Sequence, residues 1–387
     1  MRVLFSTTAG AGHFGPLIPF ARACVAAGHE VRVAAPATFA SAVESAGFEH
    51  APFDDVPPDV MGAVFGRLPG LPRHEANAIV VGEVFGRLDA QAALPGVIAT
   101  IDSWAPDVVV REPCEFGSWA AAERAGVPQV VVWIGLAGMA AQFGPILREP
   151  LADLRWRAGL SADDTGPFAA DGTFSLVPAG FDDTQSVGDA AISRFRDPSQ
   201  GFGTARLPDA WGDADAPLVY VTFGSVTATV GPFGSVYPVV VEALADYPAR
   251  ILLTTGDGLD PATLGPLPRN VHVERWWPQA DVMPAASAIV GHGGFGTTMT
   301  ALAAGVPQVV LPLFASDQFD NAERIDAVGA GICLEGGPDA AANVPKALDA
   351  VLHEASHRTA ARSIADEIAA LPDAAAAVPL IEQIAQR

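Results

Sequence analysis

The sequence predicts an α/β protein with two domains, each built on a parallel sheet, which face each other across a cleft. Two observations support this fold class. A strand–helix–strand pattern recurs in both halves of the chain, and the stretch between them has little periodicity. The composition agrees, because half of the 387 residues are apolar and this length favours two domains over one.

The first half opens with a strand, a glycine-rich loop, a helix and a second strand, EVRVAAP, which is the repeating unit of a doubly wound sheet. We expect strands at 1–6, 30–36, 49–52, 106–110 and 129–134, with helical segments at 17–27, 54–102 and 116–125. Residues 135–200 are expected to be helices with loose connections.

The alternation of strands and helices resumes in the second half. We expect strands at 218–225, 250–256, 271–274, 288–291 and 308–313, a helix at 237–247, and a helix-rich tail from 344 that is interrupted at Pro372 and Pro379. The predicted domains are residues 1–200 and 218–365, joined by a linker at 201–217. A terminal helical segment at 366–387 is expected to pack back on the first domain.

Composition excludes several classes of function. The formal net charge of −22 argues against a nucleic-acid partner, which needs clustered Lys and Arg. No apolar run of about 18 residues is present, so we expect no membrane span, and the N-terminus reads as a first strand, not as a signal peptide. Cys24, Cys114 and Cys333 lie far apart without metal-ligand spacing, which is typical of a reduced, cytoplasmic protein.

A glycine-rich turn between a strand and a helix, GHGGFGTT, is the strongest candidate site. Free backbone N–H groups and the positive end of a helix dipole suit a phosphate, and hydroxyls lie beside them. Ser225 adds a hydroxyl at another strand end. The alternative is a packing turn with a buried core histidine. The residues that we assign to a phosphate site here are His292, Gly293, Gly294, Gly296 and Thr297.

Two further segments flank this turn. Trp276 and Gln279 precede a helix, where an indole can stack on a base and an amide can reach a ribose, although adjacent tryptophans are also common in cores. Asp317 and Gln318 follow the next strand and are suited to hydrogen bonds with hydroxyls. They also fit an N-terminal signal for a helix that begins near Asn321.

The N-terminal loop formally matches a dinucleotide fingerprint, Gly10-x-Gly12-x-x-Gly15. The second strand ends in Ala-Ala-Pro and lacks the acid that binds a ribose, which argues against NAD or flavin. The same loop displays His13, a candidate general base. Glu112 follows a neighbouring parallel strand and is its expected partner, with Glu115 as the alternative. The alternative is that His13 caps a helix and Glu112 is an acid exposed to solvent at the end of its strand, which would give the same sequence pattern.

Taken together, W-x-P-Q, then HGGxGTT, then GVPQ…P…DQ…NA resembles the signature of bacterial family 1 glycosyltransferases, which have the GT-B fold and decorate natural products. The N-terminal GHFGP loop, PDVVVREP and VTFGS extend the resemblance over most of the chain, with only loose similarity at 54–100 and 135–200. It is most similar to the actinomycete deoxysugar transferases of antibiotic and enediyne pathways.

The resemblance implies a role for each candidate. His13 is the catalytic base and Glu112 its carboxylate partner, a position that is Asp in many relatives. Trp276 stacks on the nucleobase and Gln279 lies near the nucleoside. Asp317 and Gln318 then bind the hydroxyls of the donor sugar. The diphosphate is bound by Ser225 and the glycine turn, which contributes His292, Gly293, Gly294, Gly296 and Thr297.

The expected activity is inverting transfer of a deoxysugar to a hydroxyl of a secondary-metabolite aglycone, without a metal or another cofactor. Relatives that use UDP commonly carry a Glu at the position of Thr300, so its absence favours a dTDP-sugar donor. A homodimer is left open, as are two other functions, a nucleotide-sugar 2-epimerase and a non-catalytic nucleotide-sugar-binding partner protein. An apolar acceptor cleft is expected from Phe53, Phe65, Phe85, Trp133 and Phe143.

Overall fold

The computed structural model describes residues 1–161, 166–188, 190–200, 203 and 206–387. It divides the chain into two compact units. The first comprises Met1–Pro198 and Leu371–Arg387, and the second comprises Ser199–Ala370. Each unit is an α/β structure on a predominantly parallel sheet, so the predicted fold class is confirmed.

The sheet of the first unit has the strand order β3-β2-β1-β4-β5-β6-β8-β7, in which neighbours are parallel except for the antiparallel pair of β7 and β8. Its strands are β1 (Arg2–Ser6), β2 (Glu30–Pro36), β3 (Glu49–Phe53), β4 (Val108–Arg111), β5 (Gln129–Trp133), β6 (Gly172–Ser175), β7 (Ser186–Val187) and β8 (Ala190–Arg194). Its helices are α1 (Ala11–Phe14), α2 (Ile18–Ala26), α3 (Ala40–Ser45), α4 (Pro58–Phe65), α5 (Arg73–Ile79), a π-helix (Val80–Asp89), α6 (Ala90–Trp104), α7 (Phe116–Ala125), α8 (Met139–Arg157), α9 (Ala179–Asp182) and the C-terminal helix (Val378–Ala385).

Both faces of this sheet are covered, which explains its nearly continuous apolar strands. Along β4, Val109 packs into one core with Leu4, while its neighbour Val110 packs into the opposite core with Phe5. The C-terminal helix completes the second of these cores. Its Ile381 is fully buried there, a burial that contributes about 1.5–3 kcal/mol per large aliphatic side chain.

The sheet of the second unit has the order β11-β10-β9-β12-β13-β14 and is parallel throughout. Its strands are β9 (Leu218–Thr222), β10 (Arg250–Thr254), β11 (Val271–Glu274), β12 (Ala288–Gly291), β13 (Gln308–Val310) and β14 (Gly331–Cys333). Its helices are α10 (Val236–Ala243), α11 (Gln279–Val282), α12 (Phe295–Ala303), α13 (Ser316–Ala327), α14 (Val344–His353) and α15 (Ala355–Ala370).

Both sheets reverse their strand order at one point. In the first unit β1 pairs with β2 on one side and β4 on the other, and in the second unit β9 pairs likewise with β10 and β12. Loops that leave the carboxyl ends of two such central strands diverge, and the crevice between them is where α/β sheets bind ligands. His13 and Glu112 follow β1 and β4, and Ser225 and His292 follow β9 and β12.

Residues 135–200 were predicted to be helices with loose connections. This was wrong for the residues after α8, which include the short strands β6, β7 and β8. Strands of two to five residues are too short to show a period. Strand β14 was missed for the same reason. Pro379 does not interrupt a helix but lies in the first turn of the C-terminal helix, where its missing N–H costs nothing.

The predicted linker differs from the structure. Residues 201, 202, 204 and 205 lie outside the described part of the chain, and the remainder is grouped with the second unit. Trp211 explains this grouping, because its indole N–H donates to the carbonyls of Ile251 and Asn270 at 3.1 and 3.2 Å. Helix α15 extends to Ala370, beyond the predicted boundary at 365. No helix in the described residues is long and apolar enough to span a membrane.

Candidate active site

His13 and Glu112 are in contact at the point where the first sheet reverses its order. His13 lies in the short helix α1, and its Nδ1 is 3.1 Å from Oε1 of Glu112. The imidazole is about one-fifth exposed, with 22% of its side chain accessible, whereas Glu112 is fully buried. The pair therefore has a buried, fixed acid and a histidine that a ligand can reach.

Glu112 is held by several donors besides His13. Its Oε1 accepts from the backbone N–H and the hydroxyl of Thr8 at 3.2 and 3.1 Å, and its Oε2 accepts from the N–H of Cys114 at 2.6 Å. Burial by itself raises the pKa of this carboxyl, but the charge of His13 and these hydrogen bonds outweigh it and hold the pKa below its ordinary value. Glu112 is thus ionised at neutral pH.

The ionised carboxylate determines the tautomer of His13. A carboxylate only accepts hydrogen bonds, so Nδ1 carries the proton and Nε2 keeps its lone pair. Any imidazolium that forms is stabilised by the adjacent negative charge. The arrangement is therefore that of an oriented general base.

Glu115, the alternative partner, has a different role. It is the N-cap of α7, where its carboxylate accepts from the N–H groups of Gly117 and Ser118, both at 2.9 Å. The hydroxyl of Ser6 donates to it at 2.7 Å. Burial raises the pKa of Glu115. A cap of this kind stabilises a helix by about 1 kcal/mol, so this residue is explained by folding.

The π-helix (Val80–Asp89) brings an aromatic side chain to the base. The ring of Phe85 lies 5.2 Å from that of His13, centroid to centroid. Asp89 is half-buried four residues later and interacts electrostatically with His13. Burial raises the pKa of Asp89 to about 7. Sequence reasoning missed Asp89, and the only available signal was its spacing of four residues from Phe85.

One group of side chains near the base has the composition of a metal site. His13, Glu112 and Cys114 each offer a ligand atom, and these atoms lie within 4.8 Å of one another. Both oxygens of Glu112, however, already accept hydrogen bonds from the protein. We therefore assign no metal to this cluster, and its contacts are explained by the His13–Glu112 pair.

In the second unit, His292 is enclosed by glycines at the point where β9 and β12 diverge. A Cβ atom at Gly224 would lie 2.8 Å from its ring, and one at Gly294 would lie 2.6 Å from it. Burial lowers the pKa of His292 to about 4. Its Nδ1 is buried without a hydrogen-bond partner among the described residues. A neutral imidazole with an unsatisfied ring nitrogen thus lies in the glycine turn.

The glycine turn is packed against α13. Gly293 has φ +85, and a Cβ atom there would lie 2.5 Å from the carbonyl oxygen of Gln318. The side-chain amide of Asn321 donates to the Gly293 carbonyl at 2.8 Å. These contacts place the predicted phosphate turn directly beside the segment that carries Asp317 and Gln318. Asn321 was not among the predicted site residues, and its role is to fix the turn.

Helix α12 presents its N-terminus in this turn, because Gly294 is its N-cap. No side chain among the described residues caps it, and its first turn holds no acid. The amide of Gln279 donates to the hydroxyl of Thr297 at 3.0 Å, so these two predicted residues are brought together. A Cβ atom at Gly296 would meet nothing within 4 Å, which leaves this backbone open.

The other predicted residues of the second unit differ in exposure. Trp276 is 70% exposed, which suits a stacking surface, and Ser225 is exposed after β9. Asp317 is half-buried in the first turn of α13, which begins at Ser316 and not near Asn321. Gln318 is buried, and its Oε1 accepts from the N–H groups of Leu313 and Phe314 at 2.9 and 3.2 Å. Only donation by its Nε2 is left for a sugar hydroxyl.

The predicted acceptor cleft needs correction. Phe53, Trp133 and Phe143 are buried in the core of the first unit, with 2–6% of their surface exposed. They were misjudged because sequence alone does not tell which side of a covered sheet an aromatic side chain faces. Phe65 is exposed on α4, and Phe85 contacts His13. Of the five aromatic residues, Phe85 is the one in contact with the base.

Two family models match separate parts of the chain. They are described as the N-terminal and C-terminal domains of "Erythromycin biosynthesis protein CIII-like" and match residues 22–152 and 238–384. The L-demethylnoviosyl transferase of Streptomyces niveus is 34% identical over 386 residues, covering 96% of this chain and 95% of that protein.

Solved structures agree with this match. The glycosyltransferase SnogD of Streptomyces nogalater has a TM-score of 0.76 and 30% identity, and covers 100% of this chain and 99% of its own. The glycosyltransferase VinC, solved in complex with dTDP, has a TM-score of 0.77 and 26% identity, with 100% of both chains covered.

Two Rossmann-like units, each with its polar residues at the point of strand reversal, define a GT-B glycosyltransferase. The chain belongs to the family 1 glycosyltransferases of natural-product pathways, and it is an enzyme that transfers a sugar.

Proposed function

We propose that the protein transfers a deoxysugar from a dTDP-sugar to a hydroxyl group of an apolar aglycone, with inversion at the anomeric carbon and without a metal. The 3.1 Å contact between His13 and Glu112 carries this proposal, because it orients a partly exposed imidazole as a base for an acceptor hydroxyl. A non-catalytic binding protein has no need of such a pair.

The chemical step follows from that base. As the acceptor oxygen forms its bond to the anomeric carbon, the bond from that carbon to the diphosphate breaks and dTDP leaves. The acceptor proton passes to Nε2 of His13, and the resulting imidazolium faces the ionised Glu112. A positioned general base contributes roughly 10²–10⁴-fold, or about 3–5 kcal/mol. Attack opposite to the leaving group inverts the configuration.

The glycine turn of the second unit supports the leaving-group role. The N-terminus of α12 favours negative charge by up to about 2 kcal/mol, and open backbone at Gly296 allows a phosphate to approach. His292 is neutral, so it contributes an N–H donor and not a full charge. Trp276 offers an exposed indole face for the base, and Asp317 and Nε2 of Gln318 offer groups for the sugar.

Thr300 supports dTDP in preference to UDP. Its hydroxyl donates to the carbonyl of Gly296 at 2.8 Å, one turn earlier in α12. This helix therefore offers no carboxylate at that position to bind two ribose hydroxyls. The solved complex of VinC with dTDP, a relative that aligns over the whole chain, points in the same direction.

Two experiments test the function. Thermal shift with dTDP, UDP and NAD should show the largest stabilisation with dTDP, and stabilisation by NAD alone would contradict the nucleotide assignment. Mass spectrometry of reactions that contain dTDP-glucose or dTDP-rhamnose and a panel of apolar, hydroxyl-bearing aglycones should then reveal a glycoside. The anomeric configuration of that product, read by NMR, should be opposite to that of the donor.

A further inference from the structure

The side chain of Phe85 gives the proposed base an aromatic contact in addition to its bond with Glu112. The centroid of its ring lies 5.2 Å from that of the His13 imidazole, and the two ring planes are tilted by 52°. Aromatic rings at this separation and tilt attract each other. Phe85 is half-buried and the imidazole is partly exposed, so this contact lies where a ligand can reach the base.

The backbone around His13 restrains the imidazole only weakly. Helix α1 has four residues, none of the described side chains caps it, and its N-cap Gly10 has φ +130. A Cβ atom at Gly12 would meet nothing within 4 Å, so α1 is not closely packed there. The hydrogen bond from Nδ1 to Glu112 defines one direction in the ring, and the ring can still rotate about that direction. A surface against the ring is needed to fix its plane.

Phe85 lies in the π-helix, a rare type of helix that is frequent at functional sites. The next residue, Gly86, faces α8, where an added Cβ atom would lie 2.8 Å from Leu147 and 3.2 Å from Pro150. Gly82 is similarly close to α8, with 3.0 Å between an added Cβ and the nearest side-chain atom. Both glycines are buried, and they let the two helices approach more closely than larger residues would. This packing fixes the position from which Phe85 reaches the base.

Two ion pairs hold the same π-helix. Arg87 pairs with Glu149 of α8, and Glu83 pairs with Arg67, which follows α4. Both pairs are partly exposed, so each contributes little to stability, but together they oppose sliding and rotation of the helix. Phe85 is therefore carried by a segment that is held by packing and by charge, as a side chain that positions another one requires.

We propose that Phe85 is a positioning residue for the base. Its ring opposes rotation of the imidazole away from the orientation in which Glu112 accepts from Nδ1, and it shields that hydrogen bond from water. The inference rests on the proposed role of His13 as the general base. Phe85 acts on His13 and not on the reacting atoms. A base that is already held in the productive geometry need not be reoriented as the acceptor proton is transferred.

Proton NMR of the protein without ligand tests the restraint directly. An imidazole N–H that is bonded to a carboxylate and shielded from water gives a downfield signal, which broadens when the proton exchanges with solvent. The signal of His13, assigned by its loss in His13→Gln, should be at least about threefold broader in Phe85→Ala. Phe85→Tyr retains the ring and should keep the signal narrow. Phe85→Leu retains apolar bulk and is the second variant if Phe85→Ala does not fold; it too should broaden the signal.

Gly86→Ala is an independent test, because it leaves Phe85 in place and moves the helix that carries it. The added Cβ has no room beside Leu147 and Pro150, so the signal of His13 should broaden again. Gly144→Ala is the matched control, since this glycine lies in α8 and its Cβ would meet nothing within 4 Å. Equal broadening in both glycine variants overturns the proposal, and so does a narrow signal in folded Phe85→Ala or Phe85→Leu.

With a substrate pair found by the screen above, kinetics provide a second measurement. Phe85→Ala should lower kcat about 10- to 100-fold and leave the donor KM unchanged, because a misplaced base slows the chemical step without weakening donor binding. Phe85→Tyr should restore most of the rate. An unchanged kcat in Phe85→Ala overturns the proposal. If the wild type transfers no sugar but the signal of His13 still broadens in Phe85→Ala, the proposed function fails and the restraint of His13 by Phe85 stands.

Discussion

Each unit has one candidate histidine, and the two occupy comparable places in their own sheets but have opposite surroundings. His13 and His292 both lie in segments that follow a central strand where the strand order reverses, one in each unit. His13 is partly exposed and bonded to a carboxylate, whereas His292 is buried, has an unpartnered Nδ1, and lies between two glycines. Topology thus locates a site, and the neighbours of each ring decide its chemistry.

A charged partner makes the difference between the two rings. Glu112 stabilises a proton on His13, which suits a group that must accept one during the reaction. Burial keeps His292 neutral down to a pH of about 4, which suits a group that donates a fixed hydrogen bond to an anion. The four predictions below change one ring or its immediate neighbour, and they run from the largest expected effect to the smallest.

His13→Ala removes the base and should lower kcat by about 10²–10⁴-fold, because proton transfer then falls to water. Affinity for dTDP, measured by calorimetry, should not change, since the residues proposed to bind the nucleotide lie in the second unit. His74→Ala is the matched control, with a histidine side chain that is 82% exposed on α5. Full turnover by His13→Ala would remove this residue from the mechanism.

His292 should make the protein sensitive to acid. Its pKa is about 4 when folded and about 6.5 when unfolded, so the unfolded chain binds the extra proton as the pH falls. Stability attributable to this residue is present above pH 6.5, is lost progressively down to pH 4, and amounts to about 3 kcal/mol. His292→Gln should flatten that part of the stability curve in urea denaturation. An identical pH dependence in both proteins would contradict the buried neutral state.

Glu112→Gln keeps the shape of the side chain and removes its charge. We expect kcat to fall about 10- to 100-fold, because the imidazolium loses its counter-charge and the tautomer of His13 is no longer fixed. The acid limb of the kcat/KM profile should move to lower pH, since protonated His13 is less stable. A profile that keeps its position would show that Glu112 has only a structural role.

Gly224→Ala tests the enclosure of His292. The added Cβ would lie 2.8 Å from the ring, and the residue has φ +78, so the substitution should cost about 1–3 kcal/mol of stability and weaken dTDP binding about tenfold. Gly296→Ala is the matched comparison, because its Cβ meets nothing within 4 Å. It should fold normally, so any loss of dTDP affinity reports the approach of the phosphate itself.

The fold and the pairing of His13 with Glu112 were predictable from the sequence. Parallel strands align their carboxyl ends, so residues that follow two central strands meet without further information. The helix start at Gly294 was predictable within a few residues, since a glycine-rich turn after a strand and before an apolar run is typical of a helix start. These inferences depend on local sequence patterns, in which a strand is followed directly by the residues of the candidate site.

What could not be predicted depends on packing between segments. Phe53 and Phe143 are ordinary aromatic residues in sequence, and only the layers above the sheet make them core. The Oε1 of Gln318 is taken by two backbone N–H groups that approach from another part of the chain. Phe85 is one aromatic residue among many until the π-helix places its ring 5.2 Å from that of His13.

The order in which the chain forms its two units affects the design of chimeras between relatives. The second unit, Ser199–Ala370, is an insertion, because the chain returns to finish the first unit. A chimera that replaces everything after Pro198 would also exchange Ile381 and Ile384, which are buried in a core of the first unit. Poorly matched replacements there would each cost about 1–3 kcal/mol. Chimeras that exchange the second unit should therefore be built with two junctions, one at 198/199 and one at 370/371, so that each sheet keeps its own core.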